Sequence, residues 1–138
     1  SSAFVDIAQG AVVGAYYTTV AGPAEKYPAA KAFTESFRAK FGRAPEAYAL
    51  YAYDAANVVL DGIEQGIAAN GGKKPTRKQV AEAVRAVKRD GITGPIAFDS
   101  RGDRQVADYW IIHFEEAKYP GKPVKSISAS PPPPVGKP

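Results

Sequence analysis

The segment that runs from Pro45 to Asn70-Gly71-Gly72 constrains this chain more than any other. It is apolar, rich in small residues and, after Pro45, unbroken by proline, so the spacing predicts a long helix that starts at Pro45 and packs closely on its neighbours. Tyr48, Ala52, Ala55, Val59, Ile63 and Ile67 recur at helical spacing and are expected to form its inward stripe. Gly62 and Gly66 would let another backbone approach.

Flanking patterns complete an α/β order of elements. Val12 to Thr18 is apolar and β-rich and predicts a buried strand, ended by Gly22-Pro23. From Pro28, the positions Ala29, Phe33, Phe37 and Phe41 recur every four residues, which predicts a helix with Pro28 in its first turn and Gly42 as its C-terminal cap. Thr76-Arg77-Lys78-Gln79 has the form of a capping box and opens a third helix with Val80, Ala83, Val84 and Val87 inward. After Asp90-Gly91 the period changes. Gly94 to Phe98 reads as a short strand, Asp99 to Asp103 as a turn, and Val106 to Phe114 as a longer strand. In that strand Tyr109, Ile111 and His113 share one face, and Trp110, Ile112 and Phe114 the other. From Pro120 onward, seven prolines in 19 residues predict an extended, polyproline-like tail. One strand, three helices and two strands are too few to close a sheet unaided.

Charge and composition exclude several functions. The net charge of +4 looks suited to nucleic acid, yet all 14 acidic residues lie at or before Glu116, where 14 Lys and Arg balance them. The surplus, Lys118, Lys122, Lys125 and Lys137, sits in the tail, and no basic stripe is interleaved with stacking aromatics. No nucleic-acid partner is expected. Zero cysteines remove disulfides, thiolate metal sites and cysteine nucleophiles. No apolar run approaches a membrane span. The start, Ser1-Ser2-Ala3-Phe4-Val5-Asp6, has neither the basic nor the apolar region of a signal peptide, and the chain has no methionine. Its first residue is therefore expected to have arisen by cleavage or by choice.

Catalysis and cofactor binding find little support, and neither metal nor cofactor is expected. His113 is alone, and a solitary strand histidine makes no metal site. Asp99 and Asp103 frame Gly102 without the spacing or distal glutamate of a calcium loop. Arg101-Gly102-Asp103 matches an adhesion tripeptide too short to carry weight. Gly10, Gly14 and Gly71-Gly72 form no phosphate cradle, and Glu115-Glu116 alternate faces on a strand.

The run Pro45-Glu46-Ala47-Tyr48-Ala49-Leu50-Tyr51-Ala52-Tyr53-Asp54-Ala55-Ala56 resembles the P-x-x-Y-A-x-x-x-Y-D-A helix of type I periplasmic solute-binding proteins, the branched-chain amino-acid receptors of ABC transporters. Gly14-Ala15-Tyr16-Tyr17-Thr18-Thr19, the phenylalanine helix, Gly91 to Asp99, Gly102-Asp103 and the strand ending at Phe114 agree in order. Residues 3 to 115 follow the family's C-terminal third.

The resemblance implies a partial periplasmic-binding-protein type I fold, with Rossmann-like lobes, incomplete sheets and three helices. Residues 1–19 would end the second lobe, and 20–105 would return through the first lobe with helices about 28–41, 45–69 and 76–89. Residues 106–119 would supply a second-lobe strand and 120–138 a Pro-rich tail. It implies a receptor that traps a solute between two lobes, outside the cytoplasm, and presents it to an ABC permease without chemistry. It implies that Tyr48 packs on the ligand's side chain, whereas Tyr53 and Asp54 are structural, the latter needing a partner inside its helix. Tyr16 and Tyr17 take opposite faces, one toward the core and one toward the hinge. The groups that hold an amino acid's carboxylate and ammonium would precede Ser1. Amides, urea and aromatic acids stay open as ligands, and so do a sensor of the same fold, a small enzyme and an autonomous interaction module. Missing strands would leave the chain to associate with itself or with the N-terminal portion of its parent.

Overall fold

The computed structural model describes residues 2–131. They form two compact units: Ala24–Val106 makes up the body of one, and Ser1–Pro23 with Ala107–Ala129 the other.

In the smaller unit, α1 (Ser2–Ala8) leads through a 3-10 turn (Gln9–Val12) into β1 (Tyr16–Thr19). β1 pairs antiparallel with β4 (Ala107–His113), and β4 with β5 (Lys122–Ala129), giving the strand order β1-β4-β5. The strand expected over 12–18 is shorter than that. Val12 is fully buried in the 3-10 turn, and Gly14, at φ +89°, breaks the extended run before Tyr16. The Gly14 amide still donates to the Phe114 carbonyl at 2.8 Å, and the Phe114 amide to the Ala15 carbonyl at 3.0 Å. Val5, Val12 and Phe114 form the core, with Ala8, Ala15, Tyr17 and Tyr119 against it. Trp110 lies over Gly22, where an added Cβ would sit 2.3 Å from its Nε1. Alternation in β4 follows the expected faces, with Ile112 and Phe114 buried and Tyr109 exposed.

The tail is a correction. Residues 122–129 are a β-strand on β4 instead of a polyproline segment. Lys122 to Ala129 contains only Pro123, and it pairs with Ile112 beside a register shift on an edge strand, where a missing amide is tolerated. Val124 and Ile127 favour the extended state, and the Ser128 hydroxyl donates to the Asp108 carboxylate. The prolines from 132 onward lie outside the described residues.

In the other unit, 3-10 turns (Ala24–Lys26 and Pro28–Ala30) precede α2 (Lys31–Phe41), followed by α3 (Ala47–Ala69) and α4 (Arg77–Ala86). Gly42 caps α2 at φ +67°, its amide donating to the Arg38 carbonyl. The Thr76–Gln79 capping box is present in both directions. Val80, Ala83 and Val84 of α4 are half-buried and Val87 is buried. A hairpin of β2 (Arg89–Gly91) and β3 (Gly94–Ile96) follows. β2 was not legible because Arg89 and Asp90 do not read as strand residues.

α3 buries a different stripe from the one expected. Leu50, Asp54, Val58, Gly62 and Gly66 face inward, whereas Tyr48, Val59, Ile63 and Ile67 are exposed. The glycines decide it. A Cβ on Gly62 would lie 2.3 Å from Val84 Cγ2, and one on Gly66 would lie 3.3 Å from Pro75 Cβ, so α4 and its approach lie against these positions. Two clusters fill the unit: Tyr27, Ala30 and Leu50, and then Val58, Val87 and Ile96.

Candidate functional site

Asp54 is the buried polar centre of the larger unit, only 3% exposed. It lies mid-helix in α3, and its carboxylate accepts from the Ile92 amide (2.9 Å), the Thr93 amide (2.8 Å) and the Thr93 hydroxyl (2.6 Å). It thereby satisfies the two-residue turn of the β2–β3 hairpin, as a buried carboxylate must be satisfied. Gly91 is required beside it, because a Cβ there would fall 2.5 Å from Asp54 Oδ2. Arg104 donates to Thr93 Oγ1 (3.3 Å) and to the Pro95 carbonyl (2.9 Å), with its guanidinium over the Tyr51 ring. Sequence reasoning missed Arg104, which has no periodic or motif signal. It did give Asp54 the partner its helix position demands. The Asp54 carboxylate is fully engaged by this turn, whereas Arg104 Nε is buried without a hydrogen-bond partner among the described residues, and the arrangement carries structure, not chemistry.

Tyr48 lies elsewhere. Pro45 and the extended Glu46 (φ −72°, ψ 158°) set the start of α3 at Ala47, so Tyr48 falls in the first turn. The residue is 61% exposed and belongs to none of the buried clusters. An aromatic so placed offers an apolar face with a phenolic tip to whatever lies beyond the helix start. Tyr53 is half-exposed and tilted on Phe33 at 4.8 Å, part of a ring ladder that continues through Phe37 and Phe41.

The remaining candidates resolve into local structure. Tyr17 stacks on Phe114 at 5.5 Å and its hydroxyl donates to the Pro120 carbonyl, whereas Tyr16 is exposed and stacks on His113 at 4.3 Å. Among the described residues no group of three His, Cys, Asp or Glu could hold a metal ion. Asp99 accepts from the Asp103 and Arg101 amides, both 2.9 Å, and pairs with the Arg101 side chain. The Asp103 amide above all holds the Asp99 carboxyl below the usual aspartate range. Arg101 also pairs with Asp103, so the adhesion-like tripeptide is folded on itself. Glu115 pairs with Lys122 across the β4–β5 connection. Cavities open at Phe4, Tyr17, Phe114 and Tyr119 (about 240 Å³) and, in the larger unit, beside Tyr27, Lys31, Glu35 and Arg38 (about 450 Å³); Tyr48 lines neither.

The periplasmic binding protein family model matches residues 3–118. This chain belongs to that family. It is 33% identical over 92 residues to the leucine-, isoleucine-, valine-, threonine- and alanine-binding protein of Pseudomonas aeruginosa, covering 67% of this chain and 23% of that protein. A leucine-binding protein from Thermotoga maritima superposes with a TM-score of 0.74 at 27% identity, over 92% of this chain and 34% of the other. An ABC-transporter solute-binding protein from R. palustris, solved with benzoate, has a TM-score of 0.61 at 23% identity, over 87% and 31%, and shows the fold alone. The chain thus spans roughly a quarter to a third of the relatives it matches. Its architecture is part of the type I periplasmic-binding-protein fold, and its relatives are binding proteins, not enzymes. Among the described residues no helix is long and apolar enough to cross a membrane.

Proposed function

We propose that this chain is part of the solute-binding component of an ABC importer for branched-chain or related amino acids, working outside the cytoplasm. The parent captures its ligand between two lobes and delivers it to a membrane permease. Residues 1–19 and 106–119 belong to the second lobe and 20–105 to the first, a reading supported by the division of the chain into two units near the same boundaries. The observation that carries the functional reading is Tyr48, an exposed aromatic at the first turn of α3 in a chain of this family. There it packs on the ligand's apolar side chain. Binding is followed by hinge closure, and the energy comes from preorganised hydrogen bonds in a cleft that excludes water. A second reading has an aromatic acid as the ligand, for which the exposed Tyr48 ring offers a stacking face.

The test is Tyr48→Ala in the full-length parent, followed by calorimetry with leucine and with benzoate. Removing one aromatic wall should weaken the cognate ligand by about tenfold or more, with thermal stability little changed. Tyr53→Ala, which breaks the contact with Phe33, should do the reverse. A Tyr48→Ala protein that keeps its affinity and loses stability would make Tyr48 a core residue.

A further inference from the structure

We propose that Asn70-Gly71, where α3 ends, is a site of spontaneous deamidation that the folded turn holds shut, with the Gln79 side chain as its latch. This is independent of the solute-binding reading.

Asparagine followed by glycine cyclises readily, because no Cβ shields the following amide nitrogen. Hydroxide takes the Gly71 amide proton, and the nitrogen attacks Asn70 Cγ. The Cγ–Nδ2 bond breaks, and Nδ2 takes a proton from water and leaves as ammonia, giving a succinimide. Water then opens the ring. Attack at Cγ gives aspartate. Attack at the Asn70 backbone carbonyl carbon gives isoaspartate, with the main chain rerouted through the side chain. The sequence has one other asparagine, Asn57, and β-branched Val58 follows it in mid-helix.

The fold keeps the reacting atoms apart. Ring closure eclipses Cβ and the Gly71 nitrogen across the Asn70 Cα–C bond, which tetrahedral geometry places at ψ of roughly −120°. Asn70 sits instead at φ −97° and ψ 24°. Gly71, at φ +64°, and Gly72 close the helix end as a Schellman pair, their amides donating to the Ala68 carbonyl (3.2 Å) and the Ile67 carbonyl (2.9 Å). The attacking nitrogen is therefore already committed.

The leaving group is held as well. Asn70 Nδ2 donates to the Lys74 carbonyl at 3.0 Å and to the Lys73 carbonyl at 3.4 Å, while Oδ1 accepts from Gln79 Nε2 at 3.3 Å. The amide cannot flip without setting its oxygen against two carbonyls. Gln79 Oε1 meanwhile serves the Thr76 amide and hydroxyl, so one side chain ties the cap of α4 to the end of α3. All these partners lie between Ile67 and Gln79, inside this chain. A carboxylate at position 70 has no donor for the lysine carbonyls, so conversion should leave the turn unable to reclose.

The test incubates the full-length parent at mildly alkaline pH, folded and in urea, and maps peptides by mass spectrometry with an isoaspartate assay. In urea Asn70 should gain one mass unit, isoaspartate exceeding aspartate, while Asn57 stays intact. In the folded protein Asn70 should convert at least about tenfold more slowly. Gln79→Glu keeps the acceptor for Thr76 and loses the donor to Asn70. Its folded rate should rise about fivefold, the worth of one hydrogen bond, with circular dichroism and the rate in urea unchanged. Hydrogen exchange needs no variant: protection of the Gly72 amide should match the protection of Asn70 within about threefold. Equal rates folded and in urea, a folded Gln79→Glu with an unchanged rate, or exchange protection far from that of Asn70 overturns the latch. An Asn70 that stays intact in urea overturns the site itself.

Discussion

Replacing Asp54 with alanine should destabilise the larger unit by about 3 kcal/mol. The carboxylate is 3% exposed and accepts three hydrogen bonds, two of them from backbone amides of the hairpin turn. Its loss leaves the Thr93 amide orphaned in a residue only 7% exposed, at about 1–3 kcal/mol. The Ile92 amide is half-buried and loses less because water can reach it. Relief from burying a charge offsets part of the total, which keeps it below the simple sum of three charge-assisted bonds. For a chain of this length the shift corresponds to roughly 10 °C in Tm. Urea unfolding followed by helical circular dichroism, at one fixed protein concentration, measures it. The midpoint should fall with little change in slope. Thr93→Val should couple to Asp54→Ala by about 1 kcal/mol in a double-mutant cycle, because the two side chains share a bond. A loss under about 1 kcal/mol for Asp54→Ala, or strict additivity with Thr93→Val, would refute the claim that this carboxylate holds the hairpin to α3.

Two other predictions concern local structure. Gly62→Ala should cost about 1–3 kcal/mol despite alanine's better helix propensity, since the new Cβ meets Val84 Cγ2 at 2.3 Å and the Val84 backbone at 3.0 Å, and Val84→Ala should restore only part of the loss because the backbone contact stays; a stabilised single variant would show that α4 packs elsewhere. The Asp99 carboxyl should titrate below the ordinary aspartate range in an NMR pH series, because the Asp103 amide favours its charged form. Its contribution to the turn is therefore full above the unfolded pKa and is lost as pH falls through the lowered one, whereas an ordinary or raised value would contradict the turn geometry.

Much of the fold was legible because local chemistry fixes it. Gly42, the Thr76–Gln79 box and the alternation of β4 act within a few residues and appear as expected. The buried side of α3 was not, since a helix apolar on two faces gives no period to choose between them. The choice falls to Gly62 and Gly66, through what packs on them. β5 was masked by the proline content of the whole tail, although Lys122 to Ala129 holds a single proline at an edge. Tyr48 was singled out by resemblance alone, and the structure adds that it is exposed in the first turn of α3. Arg104 gave no signal, because its partners Thr93 and Pro95 lie across a hairpin whose first strand is charged.

Calorimetry of leucine against the full-length parent and against this chain alone addresses the solute-binding reading most directly. The parent should bind in the micromolar range. The chain alone should bind no tighter than millimolar, because losing several charge-assisted hydrogen bonds at about 1.5–3 kcal/mol each moves a micromolar site that far. Micromolar leucine binding by this chain alone would place a complete site within these 138 residues and contradict the division of the site between this segment and the rest of the parent.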